Sequence, residues 1–229
     1  MKLAIMQPYL FPYIGYYQLI NAVDVFVLYD DVTWIKQGWI NRNRIIVNQK
    51  EFMFTLQVKG ASSNKLIKDV KLGANKNKVL KTITQAYKKA PFFDNYYKSI
   101  ETIFNYKSEY LIDFLYNSFY EVLKLLGINT NLLLSSNIDK NNELKSQEKV
   151  IDVCKILKAQ NYINSIGGYD LYSKQIFKEN GVELKFLRTD EIIYPQLSSS
   201  FIPNLSIIDV IMNNSIEQIQ KYLNQYSLV

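Results

Sequence analysis

The sequence predicts an α/β protein with a Rossmann-like parallel sheet, a helical insertion and a β-hairpin. Two observations predict the sheet: an apolar strand, a turn and a helix open the chain, and strand and helix patterns alternate over residues 130–187. That alternation is typical of a parallel sheet covered by helices. A continuous helical pattern over residues 77–127 is interpreted as an insertion within a single domain that spans residues 1–229.

The N-terminal half supplies two buried strands and the hairpin. Both strands are rich in apolar and β-branched residues; they are residues 3–6 and 24–30, and the hairpin covers residues 41–49 and 51–58. A helix over residues 16–22 joins the first two strands. In the insertion, apolar residues recur at helical spacing. Pro91 separates the first helix from the next, and Gly127 closes the last one as a C-cap.

The C-terminal half alternates between strands and helices. Strands are predicted over residues 130–136, 162–165 and 183–187, and helices over residues 146–159 and 170–180. Ser146 is a suitable N-cap for the first of these helices, and Gly181 stops the second. Two short helices, over residues 206–213 and 215–224, close the chain.

The composition excludes several kinds of catalytic site. The chain has no histidine and one cysteine, Cys154, so Ser-His-Asp and Cys-His catalysis, His-based zinc sites and thiolate zinc clusters are excluded. Acid–base chemistry must use Asp, Glu, Lys, Tyr, water or the substrate. The net charge is +6, mostly from lysine in Asn/Lys-rich stretches. We expect a solvated surface and no nucleic-acid partner, because no basic run is dense enough for a nucleic-acid arm.

The expected location is the cytoplasm. Residues 2–6 have the pattern of a strand and lack the longer apolar stretch and small-residue cleavage site of a secretory signal. No apolar run approaches the roughly 18 residues that a membrane span needs. A single cysteine cannot form an internal disulfide. We therefore expect a soluble protein without a transmembrane segment.

The turn after the first strand has the composition of a binding site. Residues 6–20 hold two prolines, one glycine and four tyrosines. Ligands of parallel sheets bind beyond the carboxyl ends of the strands, and the following helix offers its N-terminal N–H groups to an anion. The residues predicted to line this site are Gln7, Pro8, Tyr13, Gly15 and Tyr16. The alternative is a purely structural turn; the run matches neither a Walker loop nor a GxGxxG fingerprint.

A second cluster, residues 30–44, concentrates acids, tryptophans, amides and basic groups. Asp30 or Asp31 would accept a proton or hold Mg²⁺, and Lys36 joins them as a candidate catalytic residue. Arg42 would clamp a phosphate or carboxylate, and Trp34 or Trp39 would stack on a sugar or base. Asn41 and Asn43 are further binding candidates. The alternative is a surface hairpin with incidental charge pairs.

Two later segments carry weaker signals. Gly167 and Gly168 follow a predicted strand and would cradle a phosphate or nucleotide, although an ordinary βα turn explains them equally well. The serine run over residues 198–200 is a candidate mobile loop that closes over a ligand. Ser206, as a helix N-cap, explains part of the same region without any function.

Four runs resemble the WbqC-like protein family. They are QPYLFPYIGYYQLI, DVFVLYDDVTWIKQGWINRNRI, YINSIGGYDLY and FIPNLSIIDVIMNN, which lie between Met6 and Asn214. The first two are long and specific, and the last two add support. The resemblance implies a place in bacterial O-antigen and other surface-polysaccharide biosynthesis. It also implies transfer of a glycyl, other aminoacyl or acyl group to a sugar.

The opening is similar, at the level of pattern, to the class I adenylyltransferase fold of pantothenate synthetase and cytidylyltransferases. A strand, a Pro-containing turn, a Gly-containing helix, Ala-x-Asp and a second strand follow in that order. In that fold the turn usually carries His-x-Gly-His, which binds nucleotide phosphates. Here the aligned run is Tyr13-Ile14-Gly15-Tyr16. The missing histidines count against nucleotidyl transfer from the usual donors.

The expected function is that of a transferase that forms an amide between an activated acyl or aminoacyl group and an amino sugar on a nucleotide-sugar or glycan. Asp30 or Asp31 would accept the amine proton, and Lys36, Arg42 and Asn43 would bind phosphate or carboxylate. ATP with Mg²⁺, or an activated acyl or aminoacyl donor, is the candidate cofactor, and no protein-bound metal is expected. The alternatives are a non-catalytic sugar-nucleotide- or glycan-binding accessory protein and an RNA-binding module.

Overall fold

The structure is a computed structural model that describes residues 1–229. Its strands are β1 (Lys2–Met6), β2 (Val25–Leu28), β3 (Arg42–Val47), β4 (Lys50–Thr55), β5 (Val58–Lys59), β6 (Lys71–Leu72), β7 (Asn131–Leu134), β8 (Asn161–Ser165), β9 (Glu183–Thr189) and β10 (Tyr226–Leu228). Its α-helices are α1 (Ile14–Asn21), α2 (Lys76–Tyr87), α3 (Phe93–Asn105), α4 (Leu111–Leu126), α5 (Ser146–Ile156), α6 (Lys174–Glu179), α7 (Ile207–Asn213) and α8 (Ile216–Tyr222). Short 3-10 helices cover Ile67–Asp69, Ser135–Asn137 and Ile166–Leu171.

A six-stranded sheet organises the chain in the order β10-β9-β8-β1-β2-β7. Its first five strands along the chain are parallel, and β10 pairs with β9 in antiparallel fashion. Numbered along the chain, the parallel strands run 3-2-1-4-5, the order of doubly wound nucleotide-binding sheets. The order reverses between β1 and β8, and in such sheets ligands bind at the carboxyl ends of the strands beside that reversal.

The sheet is covered on both faces, as the apolar strand patterns predict. Successive side chains of a strand point to opposite faces. In β1, Ala4 packs into the larger core with α1, α4 and α7, whereas Leu3 and Ile5 pack into a smaller core with α5 and α6. A strand with apolar residues on both faces must lie in the middle of the molecule, which fixes β1 there. No helix is long and apolar enough to cross a bilayer.

The predicted mixed α/β class with a mostly parallel sheet is confirmed, and so is the hairpin. Strands β3 and β4 pair in register from Arg42 with Thr55 to Val47 with Lys50. Asn48 and Gln49 form the two-residue turn, with φ of 51° and 63°. Positive φ at both positions is the geometry of a type I′ turn, whose twist matches that of the strands. Helices α2, α3 and α4 occupy the segment predicted to be helical; its interpretation as an insertion in one domain remains a prediction.

Some boundaries differ from the prediction. The helix predicted over residues 170–180 is instead a 3-10 turn followed by α6, because the Ser173 hydroxyl accepts a hydrogen bond from Ile176 N and starts a new helix there. The strand predicted over residues 130–136 ends at Leu134, where a 3-10 turn begins. Helix α1 begins at Ile14, two residues before the predicted start at Tyr16. The pair β5–β6 and strand β10 are not predicted, since strands of two or three residues leave no periodic pattern.

A buried carboxylate joins three parts of the structure. The Tyr87 hydroxyl of α2 donates to Asp209 Oδ1 at 2.7 Å, and the Tyr194 hydroxyl donates to Asp209 Oδ2 at 2.9 Å. Asp209 belongs to α7 and is fully buried. Burial raises the pKa of Asp209, and the two hydroxyl donors work against that effect. The two tyrosines therefore compensate a carboxylate that the interior would otherwise disfavour.

Replacement of Tyr87 by Phe should lower the free energy of unfolding by about 2 kcal/mol, because it leaves one oxygen of a buried carboxylate without its donor and the N–H of Ile46 without its long side-chain acceptor. Urea unfolding at neutral pH measures this. The matched control is Tyr120→Phe, since Tyr120 is 55% exposed on α4. The control should stay within about 0.5 kcal/mol of the unmodified protein. Equal stability of both variants would show that the hydrogen bond to Asp209 contributes nothing.

Candidate functional site

The turn between β1 and α1 is braced by side chains from distant parts of the chain. Asn43 of β3 donates its side-chain amide to the carbonyls of Leu10 and Phe11 at 2.9 and 2.5 Å. The Ser206 hydroxyl, at the start of α7, donates to Phe11 O at 2.9 Å. Phe11 has a φ of 45°, which a side chain adopts only when its surroundings hold it. Asn43, predicted to bind ligand, is fully buried in this bracing role.

A cavity of about 590 Å³ opens at the carboxyl ends of β1 and β8. Its volume lies in the usual range for small-molecule sites. The turn after β1, the start of α1, Tyr29 after β2, the loop from Ile35 to Ile40 and the segment from Asn164 to Tyr172 contribute to its walls. Of the four loops that follow β1, β2, β8 and β9, three therefore meet at the cavity. The fourth, after β9, does not line it.

The cavity wall is aromatic and carries no charged side chain. Its aromatic residues are Tyr9, Tyr13, Tyr16, Tyr29, Trp39 and Tyr172. Gln7, Asn164 and Ser165 add polar groups, and no Asp, Glu, Lys or Arg lines the wall. The rings of Tyr9 and Trp39 lie 5.7 Å apart at 30°. Such a wall suits a ligand with apolar faces and neutral hydrogen-bonding groups.

The tyrosine hydroxyls of this wall are neutral at physiological pH. Burial raises the pKa of Tyr13, and a hydrogen bond with Ser165 only partly opposes it. Burial raises the pKa of Tyr29 to about 12, helped by the negative charge of Asp31. The Tyr16 hydroxyl is committed to Gln7 O at 2.7 Å. The tyrosines therefore serve as hydrogen-bond donors and stacking surfaces, and none is a base at neutral pH.

The single cysteine does not contribute a nucleophile. Cys154 is fully buried on α5, and burial raises the pKa of its thiol to about 12. A thiol in this state is protonated and unreactive at neutral pH. Together with the lack of histidine, this leaves no nucleophile–base pair of the Cys-His or Ser-His kind in the molecule.

Gly15 is needed for close packing beside the cavity. A Cβ atom at this position would lie 2.4 Å from Cε2 of Tyr13 and 2.6 Å from Oγ1 of Thr189. The glycine therefore lets α1 start directly against the Tyr13 ring and the end of β9. Gly168 is similarly close to the side chain of Asn164, with a Cβ-to-Nδ2 distance of 3.0 Å. At both positions a larger residue would crowd an aromatic or amide side chain of the cavity wall. Neither glycine is needed for an unusual backbone angle.

The predicted site residues fall into two groups. Those that line the cavity are Gln7, Pro8, Tyr13, Gly15, Tyr16, Trp39, Gly167 and Gly168. Those that do not line it are Asp30, Asp31, Lys36, Asn41, Arg42 and Asn43. Of the two tryptophans, Trp34 is buried in the larger core, whereas Trp39 lies at the cavity mouth and is 38% exposed.

The basic and amide residues of the second cluster mainly hold its backbone. Arg42 donates from its Nε to Gly38 O at 3.0 Å and also hydrogen-bonds Gln37 O, with its guanidinium 5.7 Å from the centre of the Trp39 ring. The guanidinium group of Arg42 therefore holds the loop that carries Trp39. Asn41 donates to Leu56 O at 2.7 Å. Lys36 is exposed and forms no ion pair.

The two acids are engaged by partners from the C-terminal side of β7. Asp30 accepts from Ser136 N at 2.9 Å and from Ser136 Oγ at 2.6 Å. Asp31 Oδ2 lies 2.7 Å from Lys140 Nζ and 3.5 Å from Lys149 Nζ. Neither carboxylate is placed for a Mg²⁺ site, because each oxygen of Asp30 accepts a hydrogen bond from Ser136 and Asp31 faces two positive charges. No group of three or more potential metal ligands occurs elsewhere.

Several groups at this edge of the sheet were not predicted from the sequence. Tyr9, Tyr29 and Tyr172 line the cavity, and their places next to predicted turns could have identified them. Lys140 and Lys149 could not be identified in this way. They lie more than a hundred residues after Asp31 in an Asn/Lys-rich stretch that looks like ordinary surface.

The pairing of Asp31 predicts a dependence of stability on pH. Burial acts to raise the pKa of Asp31, but the hydrogen bond from Lys140 and the charges of both lysines outweigh it and leave the pKa lowered. A lowered pKa means that this stabilisation is present above the unfolded value of about 3.9 and is lost as pH falls through the folded value.

The variant Asp31→Asn should therefore lose about 3 kcal/mol of stability at pH 7, because two buried lysines lose their counter-ion. The difference from the unmodified protein should shrink when urea unfolding is repeated near pH 3. Asp190→Asn, an exposed change outside any ion pair, should alter neither value. A difference that is the same at both pH values would contradict the assignment.

The comparisons with known proteins agree with the resemblance of the four sequence runs. The model of the WbqC-like protein family matches residues 7–221, a range that includes nearly all of the cavity wall. The chain is 27% identical over 217 residues to the uncharacterized protein Rv1507c of Mycobacterium tuberculosis, covering 93% of each chain. No solved structure matches the chain. The protein belongs to the WbqC-like protein family.

Proposed function

We propose that this protein is a cytoplasmic transferase of surface-polysaccharide, or O-antigen, biosynthesis. It would transfer an acyl or aminoacyl group, such as glycyl, to the amine of an amino sugar on a nucleotide-sugar or glycan. The observation that carries the proposal is the uncharged aromatic cavity at the reversal of strand order between β1 and β8. Sugar rings present apolar C–H faces and hydroxyl groups, which match aromatic rings and neutral donors.

The start of α1 is the part of the cavity suited to a nucleotide or acyl donor. Tyr13-Ile14-Gly15-Tyr16 would take the place of the His-x-Gly-His turn in a class I adenylyltransferase-like opening. The 3-2-1-4-5 order of the parallel strands supports this analogy. The N–H groups of Ile14 and Gly15 at the start of α1, which receive no side-chain cap from Tyr13, would face the ligand.

The proposed reaction has a simple balance. The amine nitrogen of the sugar forms a bond to the carbonyl carbon of an activated donor, and the bond from that carbon to its leaving group breaks. The amine proton goes to the departing group or to water. The cavity wall would orient the two substrates and exclude water. Holding two reactants in the right geometry is by itself a large contribution to the rate of a reaction between them. Asp31 would act only through Lys149 and Tyr29, since it does not line the cavity.

The second candidate is a non-catalytic accessory protein that binds a sugar-nucleotide or glycan. One observation favours it: none of the cavity-lining side chains is charged at neutral pH, so the wall contains no evident acid or base. Affinity for a nucleotide-sugar without product from acyl-thioester or aminoacyl-adenylate donors, followed by mass spectrometry, would select this candidate. Formation of a sugar amide would select the transferase.

The variant Trp39→Ala should weaken nucleotide-sugar binding about tenfold, which is about 1.4 kcal/mol. It removes the ring at the cavity mouth that packs against Tyr9. Isothermal titration with UDP-N-acetylglucosamine, after a thermal-shift screen of nucleotide-sugars, measures the change. Tyr120→Ala removes a more exposed aromatic residue outside the cavity and should bind as tightly as the unmodified protein. If no nucleotide-sugar in the screen binds, the proposed ligand class is wrong.

A further inference from the structure

Two buried lysines near the cavity share one carboxylate oxygen, but they do so unequally. Lys140 Nζ lies 2.7 Å from Asp31 Oδ2 and also donates to the carbonyls of Ser135 and Ile138. These three contacts use the three N–H donors of an ammonium group. Its side chain is 1% exposed. Lys140 is therefore fully occupied in holding the loop after β7 to the loop after β2.

Lys149 is left with unused hydrogen-bonding capacity. Its side chain is nine-tenths buried, yet its ammonium lies 3.5 Å from an Asp31 oxygen that Lys140 already occupies. It makes no hydrogen bond to any protein group, while its nitrogen is not sealed from solvent. Asp30, the other nearby acid, directs both oxygens to Ser136. Asp31 therefore offsets the charge of Lys149 only in part, which leaves donors of Lys149 free for a second anion.

The position of Lys149 connects it to the cavity. Its ammonium lies 5.7 Å from the centre of the Tyr29 ring, and Tyr29 lines the cavity. Two residues earlier in α5, Gln147 Oε1 accepts from Ser173 N at 3.1 Å, directly after the cavity residue Tyr172. Lys149 thus stands in the first turn of α5, behind the wall that Tyr29 and Tyr172 form. The first turn is also the positive end of the helix dipole.

We propose that Lys149 binds a phosphate group of the ligand whose sugar part occupies the cavity. This inference rests on the proposed function, and it names the anchor that the cavity wall lacks. The wall holds no cation, so a cation just outside it would meet the charge of a sugar phosphate or nucleoside diphosphate. Arg42 and Arg44 also lie beside the wall, next to Trp39, but both are engaged by protein acceptors. A Lys ammonium meets a phosphate as a point charge with up to three donors.

The test compares Lys149→Met with Lys149→Arg. Methionine keeps the length that packs beside Tyr29 but removes the charge, while Lys140 still pairs with Asp31. Titration calorimetry with sodium pyrophosphate, N-acetylglucosamine 1-phosphate and UDP-N-acetylglucosamine separates free phosphate from sugar phosphate and nucleotide diphosphate. Lys149→Met should weaken the binding of the phosphate compounds about tenfold or more, the usual effect of losing one charge-assisted hydrogen bond. Lys149→Arg should restore most of it.

The matched control is Lys155→Gln on the same helix, where Lys155 is exposed and donates to Asn180 Oδ1 at 2.7 Å. It should bind all three compounds as the unmodified protein does. Binding by Lys149→Met that equals the unmodified protein overturns the inference, and so does a lack of binding to every phosphate compound.

The same titrations separate the two proposals. If Trp39→Ala loses the affinity that the sugar adds while Lys149→Met changes nothing, the cavity proposal stands and the phosphate anchor fails. If pyrophosphate binds through Lys149 but no sugar adds affinity, the anchor stands and the sugar proposal fails.

Discussion

The buried amide of Asn43 is the interaction on which the site depends. It closes the turn between β1 and α1 by bonding two consecutive carbonyls, and Ser206 shares one of them. Without the Asn43 amide the carbonyl of Leu10 would be buried and unpaired, which a folded chain rarely tolerates, and without both side chains Phe11 O would keep only a long contact of 3.4 Å from Ile207 N. The turn then places Tyr9 and Tyr13 on the cavity wall. Because the braces come from β3 and α7, the wall forms only when distant parts of the chain have folded together.

The sequence allowed the sheet to be predicted more fully than the site. Strands such as β1 and β2 are buried on both faces, so their patterns are unambiguous, and the order of elements then implies a parallel sheet. The helix predicted over residues 170–180 failed at its start because one hydroxyl, that of Ser173, begins the helix later than the periodicity suggests. Strand β10 depends on pairing with β9 and has no pattern of its own.

Within the site, residue type alone did not determine which side chains reach the cavity. The turn residues Gln7, Pro8 and Tyr13 line the cavity because a turn after the first strand of such a sheet has only one place to lie. The residues of the second cluster follow a strand as well, but they then turn into the hairpin. There Arg42 and Asn43 satisfy backbone carbonyls instead of facing a ligand. Sequence alone cannot separate these uses, since both require the same donors.

Because the chain has no histidine and its charged side chains lie outside the cavity, the cavity wall is uncharged. A phosphate cradle with imidazolium groups brings positive charge into the ligand site, whereas this cavity keeps its wall neutral. The cations beside the wall stand outside it: Arg42 and Arg44 next to Trp39, and Lys149 next to Tyr29. A neutral wall costs less to desolvate when a sugar enters than a charged one would. Separation of an aromatic surface from a peripheral cation would therefore let the proposed site bind a neutral ring and an anionic group without placing an unpaired charge inside the cavity.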